Sequence, residues 1–559
     1  IGKIIALSLQ KNILNNNIAM ALTPRWSLAL LALFLGLCLK LPIAKAQYIM
    51  APESQEYDYV RLMAIQNPDM ISPLSFFPSV GMDDEIGASG WDIWELTQKE
   101  TTEFSLISPR VGYVHNSKLN RSNNNGPLWT GKGTNLFTTF GVQGRITLAK
   151  ESSISYSIQP MLYYAENRDF TIPAHNLNKS EFSYPYARSL DWVQRYGNRS
   201  ITEFHLGQSE IKLAHTFLAL ALSTQNMTWG PAYQNQILMS RNAGGFPHIR
   251  LGTKTPVHTP IGHIEIQGFW GRLQESAYFD EDPNNDRRYF TGLVAAYRPS
   301  FADGLTLSLH RVLYREWQDG DLVLGDAFAA FTNFSPKRDT DIGGGRVTND
   351  FYDQLSSVAM TWKFPEVGFE TYVEFAKNDF PASFQELLRQ PDRQRAYTFG
   401  FLKLFDLSYG NIIRLSIETT TLSQNQISFI NNSGAGGTYY IHGIVKQGYT
   451  HNGQLVGASI GPGSNSNFIS LDYYGSGGAV GAYFQRTRYN DDYTIRAFVG
   501  EREYIAEFDV NFGVKGVKHL DKISVIADLS FTYLNNWYFD PELSTWNFSP
   551  SLQLKYRLH

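Results

Sequence analysis

Strict two-residue alternation runs through several long stretches of this chain, and it leaves few folds open. Ile154, Tyr156, Ile158, Leu162 and Tyr164 fall on one face of an extended segment, and Ser155, Ser157 and Gln159 on the other. Ile413, Leu415 and Ile417 oppose Arg414, Ser416 and Glu418. Ala506, Phe508, Val510, Phe512 and Val514 oppose Glu507, Asp509 and Asn511. The final stretch sets Phe548, Leu552, Leu554, Tyr556 and Leu558 against Ser551, Gln553, Lys555 and Arg557. Side chains of a strand point alternately to its two faces, so each set occupies one face. In a soluble sandwich the apolar faces would meet a second sheet. In a transmembrane barrel they meet lipid, and the polar faces line the lumen.

Three features favour the barrel. The strands reach the roughly 9–11 residues that cross a bilayer at a tilt. Aromatic residues make up 14% of the 559 residues, and they gather near strand ends, as in Trp537-Tyr538-Phe539 and Tyr473-Tyr474, where interfacial girdles belong. The chain also ends on an amphipathic strand suited to closing on the first. About 18 to 20 candidate strands lie between Thr101 and His559; such barrels normally have an even number, and we take 18. The expected fold class is therefore an all-β, antiparallel transmembrane β-barrel. Its long polar connections, Asn167 to Asn198, Gln318 to Asp350, Asn378 to Gln394 and Ser423 to Thr438, are expected outside the cell.

The N-terminus divides into two parts. Ser27 to Leu39 is the one long apolar run. It follows Arg25 and precedes Ala44-Lys45-Ala46, the layout of a secretory signal peptide. Residues 1–46 are read as upstream sequence plus this leader, starting at Met20 and cleaved before Gln47. The sole cysteine, Cys38, lies within it, so the exported chain would have no disulfide. Residues 47–100 lack alternation and contain Pro52, Pro68, Pro73 and Pro78. They are expected to form a small periplasmic segment before a barrel at 101–559. A short helix from Ser54 to Asn67 would be ended by Pro68. With 48 basic and 52 acidic residues, and no acid in the leader, the mature chain is acidic, which argues against nucleic acid as a partner.

The local motifs that suggest chemistry fail on context. Gly126 to Lys132 approaches a phosphate-binding loop, but Gly133 replaces the hydroxyl that would hold magnesium, and a strand follows instead of a helix. Gly457-Ala458-Ser459-Ile460-Gly461 runs into Pro462-Gly463, which prevents the helix a nucleophile elbow needs. Asp280, Glu281, Asp282 and Asp286 form one candidate calcium cluster, although such runs are more often solvated surface. No catalytic residue, metal site or cofactor is assigned.

The alternation stops abruptly at Asn226 to Pro247, NMTWGPAYQNQILMSRNAGGFP. Trp229-Gly230-Pro231 follows a strand, and Gly244-Gly245 precedes Phe246-Pro247. Further on come Gly268-Phe269-Trp270-Gly271, Gly448-Tyr449-Thr450-His451-Asn452-Gly453-Gln454 and Gly461-Pro462-Gly463-Ser464. In this order, and with Gly126 to Gly133, the chain resembles the Wzi-type capsule-assembly proteins, loosely from Pro73 to the end. The resemblance implies an 18-stranded outer-membrane barrel of a Gram-negative bacterium with an N-terminal helical part in the periplasm. This sequence departs in a shorter, proline-rich N-terminal piece. The resemblance also implies a lectin-like, non-enzymatic role in holding capsular or extracellular polysaccharide. The expected partners are that polysaccharide, outer-membrane lipid and other capsule export or assembly proteins, with the barrel a monomer.

Sugars are held by aromatic faces against C–H surfaces and by amides, Arg and carboxylates on hydroxyls. Candidate glycan-binding residues are Trp229, Tyr233, Arg241, Asn242, Trp270, Arg272, Tyr449 and His451. Gly230, Pro231, Gly244 and Gly245 are assigned as structural turn residues. The interlude is expected to fold into the lumen or across a mouth, because irregular backbone at membrane depth needs protein or water around it. The alternative function is a diffusion porin for small polar solutes. A hydrolase would need a partner for His263 or His310, and the sequence assigns none.

Overall fold

The computed structural model describes residues 49–50, 55–68, 74–78, 80–81, 104–119, 123–173, 182–186, 189–317, 329–332, 352–378, 388, 391–424, 437–497 and 505–558. The expected leader and Cys38 lie outside these residues, as do 82–100, 425–436 and most of 318–350.

The wall is a closed antiparallel barrel of 18 strands. In order they are β1 (Ser105–Asn116), β2 (Gly133–Ala149), β3 (Ser152–Ile158 and Met161–Ala165), β4 (Ile201–His205 and Glu210–His215), β5 (Leu218–Ser223) and β6 (His248–Thr253 and Val257–Thr259). Next come β7 (Gly262–Gln274), β8 (Arg287–Pro299), β9 (Leu305–Glu316), β10 (Asp353–Phe364), β11 (Phe369–Asn378) and β12 (Arg395–Asp406). The last six are β13 (Ile412–Thr421), β14 (Asn465–Gly475), β15 (Gly478–Tyr489), β16 (Glu507–His519), β17 (Ile523–Asn535) and β18 (Thr545–Tyr556). Three strands are interrupted. Both pieces of β3 pair with β2, and the gap between them holds Pro160, which has no N–H for the ladder. The pieces of β4 pair with the corresponding pieces of β3, and those of β6 both pair with β7. Strand β18 closes on β1 from Ser551↔Val114 to Lys555↔Arg110.

Alternation sets the two surfaces of the wall. In β5, Leu218, Leu220 and Leu222 are exposed, while Ala221 and Ser223 are buried. Ile413, Leu415 and Ile417 face outward, and Arg414, Ser416 and Glu418 are buried inside. Exposed Phe399, Leu471, Phe484, Phe512, Phe531 and Leu552 continue this apolar belt. Only a closed barrel satisfies all strand backbone groups in hydrocarbon, so this belt faces lipid. Tyr473 lies on the outer face as expected of a girdle, but Tyr474 points inward and is buried. Trp537–Phe539 is a 3-10 turn between β17 and β18, and Tyr538 and Phe539 pack on Tyr184. These rings belong to a loop cluster, not to a girdle.

One end of the barrel carries only short turns, and the other carries the long connections. Three of the long connections turn back into the lumen. Residues 224–247, 189–197 and 437–464 share one core, in which Trp229, Ile237, Leu238, Met239, Phe246, Leu190, Tyr440, Tyr449 and Val456 pack against Phe269, Phe290, Val312 and Leu355 of the wall. Burying a Leu or Phe stabilises by about 1.5–3 kcal/mol each. The interlude therefore fills the lumen because its apolar residues meet an unusually apolar inner wall on β7 to β10.

The N-terminal segment also enters the barrel. Phe76–Pro78 pairs with Met227–Trp229. A helix, α1 (Gln55–Gln66), stands at the short-turn end. Its Tyr59, Leu62 and Ile65, at spacing i, i+3, i+6, pack on Leu402, Leu404 and Ile412 of the wall. The helix stops two residues before Pro68, as the sequence suggests. Residues 74–78 are thus part of the lumen's filling, and the expected boundary at residue 100 does not separate them from the barrel.

Candidate functional site

Anchors from the wall fix the interlude. The Glu418 carboxylate accepts backbone N–H bonds from Tyr233 (2.5 Å), Gln234 (3.0 Å) and Asn235 (2.9 Å), and the Tyr372 hydroxyl donates to it at 2.8 Å. Arg61 of α1 donates to Pro231 O at 2.8 Å and pairs with Glu370 at 2.6 Å. Tyr233 donates to Asp58 of α1 at 2.9 Å and accepts from Arg414 at 2.8 Å. The turn glycines are required sterically. Gly230 has φ +88°, and a Cβ on Gly245 would lie 2.0 Å from Thr224 O.

The eight candidate glycan residues separate into three groups. Trp229, Tyr449 and His451 are buried in the lumen core or its edge. Trp229 meets Phe269 edge-on at 5.6 Å, and Tyr449 donates to Leu238 O at 2.7 Å. His451 accepts from the Gln274 N–H at 3.0 Å, and burial holds its pKa down at about 3. Their surroundings make them loop pins. Trp270 and Arg272 lie on the outer face of β7, since Phe269 between the same neighbours points inward and Ile249, opposite Trp270, is exposed. Tyr233, Arg241 and Asn242 line open space.

That space comprises two neighbouring cavities. The first, about 120 Å³, lies among the long connections. Trp129, Tyr184, Trp192, Trp537 and Tyr538 line it, with Asn123, Gln194, Asn242 and Gln454 between them and Glu507 and Asp509 at the barrel rim. Trp192 lies where a Cβ on Gly461 would be, 2.5 Å from its ring, so the Gly461-Pro462-Gly463 turn is a seat for that indole. Trp537 stacks on Tyr538 at 4.2 Å and 24°. Trp129 donates to Asn167 Oδ1 at 3.3 Å. Aromatic faces beside amides and carboxylates suit a polyhydroxylated ligand. Sequence reasoning missed these rings because they come from three separate connections.

The second cavity, about 420 Å³, is the part of the lumen that the inward connections leave open. It runs from Asp58 on α1 to Asn123–Asn125 in the first long connection. The interior here is polar, with Gln485, Asn511, Ser530, Ser551 and Gln553 on the wall. The volume falls within the roughly 300–1,000 Å³ of small-ligand sites. Asn123 belongs to both cavities. The partition between them is pinned by Asn124 N–H to Asn242 Oδ1 at 3.3 Å and Gly126 N–H to Arg241 O at 2.7 Å.

His310 does find partners, Ser75 and Ser357, each at 2.8 Å, with Glu374 at 3.8 Å. This Ser–His–Glu grouping is buried beside Trp229. Among the described residues no group of three metal-ligating side chains occurs. Asp280 and Asp282 instead accept the N–H bonds of Asp282 and Asn284 in local turns.

The pinned connections carry a pH-sensitive joint. Glu275 accepts from Gln447 at 2.7 Å. Burial pushes its pKa up to about 7, with the Asp280 and Asp191 carboxylates adding to the rise and Gln447 and Arg288 opposing it. A carboxyl with a raised folded pKa contributes most below its unfolded value, and that contribution is lost as pH rises through about 7. Hydrogen exchange, corrected for its intrinsic pH dependence, is expected to speed up in residues 275–286 and 445–453 between pH 5 and pH 8. Glu275→Gln should flatten that rise, and an unchanged profile in wild type would refute the joint.

The comparisons with known proteins bear on this architecture. Residues 111–531 match the capsule assembly protein Wzi family. No curated protein matches the chain. Among solved structures, the chain is similar to Wzi of Escherichia coli, described as an outer membrane protein involved in group 1 capsule assembly and a carbohydrate-binding β-barrel. The TM-score is 0.58 at 11% identity, covering 91% of this chain and 99% of that one. Acinetobacter baumannii OccAB2 aligns at TM-score 0.38 and 10% identity, over 80% of this chain and 97% of that one. Pseudomonas aeruginosa OccK7 aligns at 0.39 and 11%, over 81% and 99%. With its lipid-facing belt and this fold, the protein resides in the outer membrane. The matched residues run from the first strand to the seventeenth, so what the family shares is nearly the whole barrel, and the chain belongs to the Wzi capsule assembly proteins.

Proposed function

We propose that this barrel holds capsular or extracellular polysaccharide at the cell surface by binding it, without catalysis, at the aromatic pocket among its long connections. The observation that carries this reading is the pocket itself, in which Trp192 and Trp537 are half-buried rings among amides and carboxylates at the mouth of a filled barrel. The carbohydrate binding described for Escherichia coli Wzi agrees with it. The porin reading is disfavoured because α1 stands at the short-turn end and three connections pack into the lumen. The ligand is a sugar chain running across the pocket, and a monomeric barrel suffices, since all the residues invoked come from one chain. Other capsule assembly proteins would be met at the same external face. The test is deletion in the native host: polysaccharide should be released into the medium and be recovered on the surface after complementation. Unchanged retention in the deletion strain would overturn the reading.

A further inference from the structure

The apolar belt is interrupted on one flank, at the long-connection end of β7 to β10. Phe269, Phe290, Val312 and Leu355 of these strands point into the lumen core. Alternation therefore turns their neighbours outward. Those neighbours are polar: Arg272 on β7, Arg287 and Thr291 on β8, Arg311 and Arg315 on β9, and Gln354 on β10. Charged side chains on a lipid-facing wall are costly at the bilayer midplane and nearly free at its interfaces.

Protein covers part of this patch. The helical turn Ala329–Thr332, from the connection between β9 and β10, lies against the outside of β8 and β9. Its Phe331 ring is 3.1 Å from where a Cβ on Gly268 would be. Arg311 donates to Ala330 O at 3.0 Å and to Gln354 Oε1 at 2.8 Å. Thr291 is fully buried although it points away from the lumen. Arg315 lies over the rings of Tyr289 and Tyr352 at 5.5 and 5.2 Å.

Two arginines are left open. Arg272 and Arg287 are exposed, and among the described residues neither guanidinium makes a hydrogen bond or an ion pair. Asp286, next to Arg287 in the chain, pairs with neither. Arg272 stands opposite Tyr289, and Gln274 opposite Arg287. The two arginines are thus diagonal neighbours on one face, about 7–8 Å apart along the wall. Two planar forks at that spacing can grip one phosphate. Trp270 lies two residues below Arg272 on the same face and is half-buried.

Their height fits a headgroup. Ile264, near the short-turn end of β7, is outward and apolar, and Arg272 follows it along the strand. At a rise of ~3.3 Å per residue and a tilt of roughly 40°, Arg272 stands about 20 Å further along the barrel axis. The apolar band of such barrels is about 25 Å tall, so Arg272 is near its outer edge, with Trp270 at girdle level.

We propose that Arg272 and Arg287 form a docking site for a phosphate of a phosphorylated glycolipid in the outer leaflet, with Trp270 packed at its acyl-chain boundary. The site lies on the opposite surface of the wall from the lumen core and is independent of the glycan-binding reading. Charge complementarity and the outer-membrane location carry it together.

The test is native mass spectrometry of the purified full-length protein in detergent, incubated with bisphosphorylated lipid A and, separately, with the same lipid freed of its phosphates. The phosphorylated form should bind, and the phosphate-free form roughly tenfold more weakly or not at all, since charge-assisted bonds are lost. Arg272→Gln combined with Arg287→Gln should remove that difference, and each single variant should fall between. Arg486→Gln is the control, because that arginine is alone on the outer face of β15 and lies 5.7 Å over the Phe508 ring. It should bind as wild type does. Heat-modified electrophoretic mobility checks that each barrel is assembled. Equal binding of the two lipids by wild type, wild-type preference in the assembled double variant, or equal loss in Arg486→Gln would each overturn the site. Loss of surface polysaccharide by the double variant with lipid binding intact would also overturn it, and would assign the arginines to an acidic glycan instead.

Discussion

Glu418→Ala should convert a closed barrel into a conducting one. In the wild-type protein the Glu418 carboxylate gathers three consecutive backbone N–H groups, of Tyr233, Gln234 and Asn235, and the hydroxyl of Tyr372. Removing it leaves these buried donors without their acceptor. Each unsatisfied buried group costs about 1–3 kcal/mol, so several together rival what holds the turn in place. The barrel ladder does not pass through this residue's side chain, so the wall should survive. The expected phenotype is normal assembly with the interlude released from β13. In a planar bilayer, wild type should show no steady channel, and Glu418→Ala should show openings. Glu418→Gln keeps one acceptor oxygen and should fall between them. A variant that assembles and stays as silent as wild type would show that the apolar core around Trp229 holds the plug unaided.

The second large effect is expected at the mouth. Trp192→Ala combined with Trp537→Ala removes two indole faces from the pocket and leaves its amides and carboxylates. Central aromatic residues of a binding site commonly contribute about 2 kcal/mol or more each, roughly 30-fold for one ring, so affinity for the polysaccharide should fall by between about 30-fold and about 1,000-fold when both are lost. Trp192 also rests on Gly461, so the single Trp537→Ala variant, whose ring packs on Tyr538 and Phe170, separates loss of a sugar face from disturbance of the Gly461 turn. Surface polysaccharide, measured against the amount of barrel in the outer membrane, is the readout. Full retention in the double variant would place the glycan contact elsewhere on the long connections.

Much of the wall was legible before any coordinates. The alternation at Ile413–Glu418 and Phe548–Arg557 named which side chains meet lipid and which meet the lumen, and the structure places them so. Pro68 marked the end of α1 nearly to the residue. The same rule also separates the two faces of β7. Phe269 and Trp270 are adjacent, so if one packs inside, the other must face outward, and Arg272 with it. Burial of Trp229 and Tyr449 had no such local signal. An aromatic ring beside amides reads the same whether a sugar or another loop covers it, and here Phe269 and Leu238 O are what they meet.

The sequence by itself determined the barrel, its expected strand number, the inward and outward faces and the place where alternation had to break. Those features follow from a period of two along the backbone, a property each segment has alone. Only the tertiary structure decided what fills the barrel. That Glu418 would hold the turn at Tyr233, that Asp58 would reach Arg414 and Lys515, and that Trp129, Tyr184, Trp192 and Trp537 would share one pocket depends on contacts between segments far apart in the chain. No local periodicity encodes such contacts. They are chosen by which loops bury the most apolar surface while satisfying their polar groups inside a closed wall.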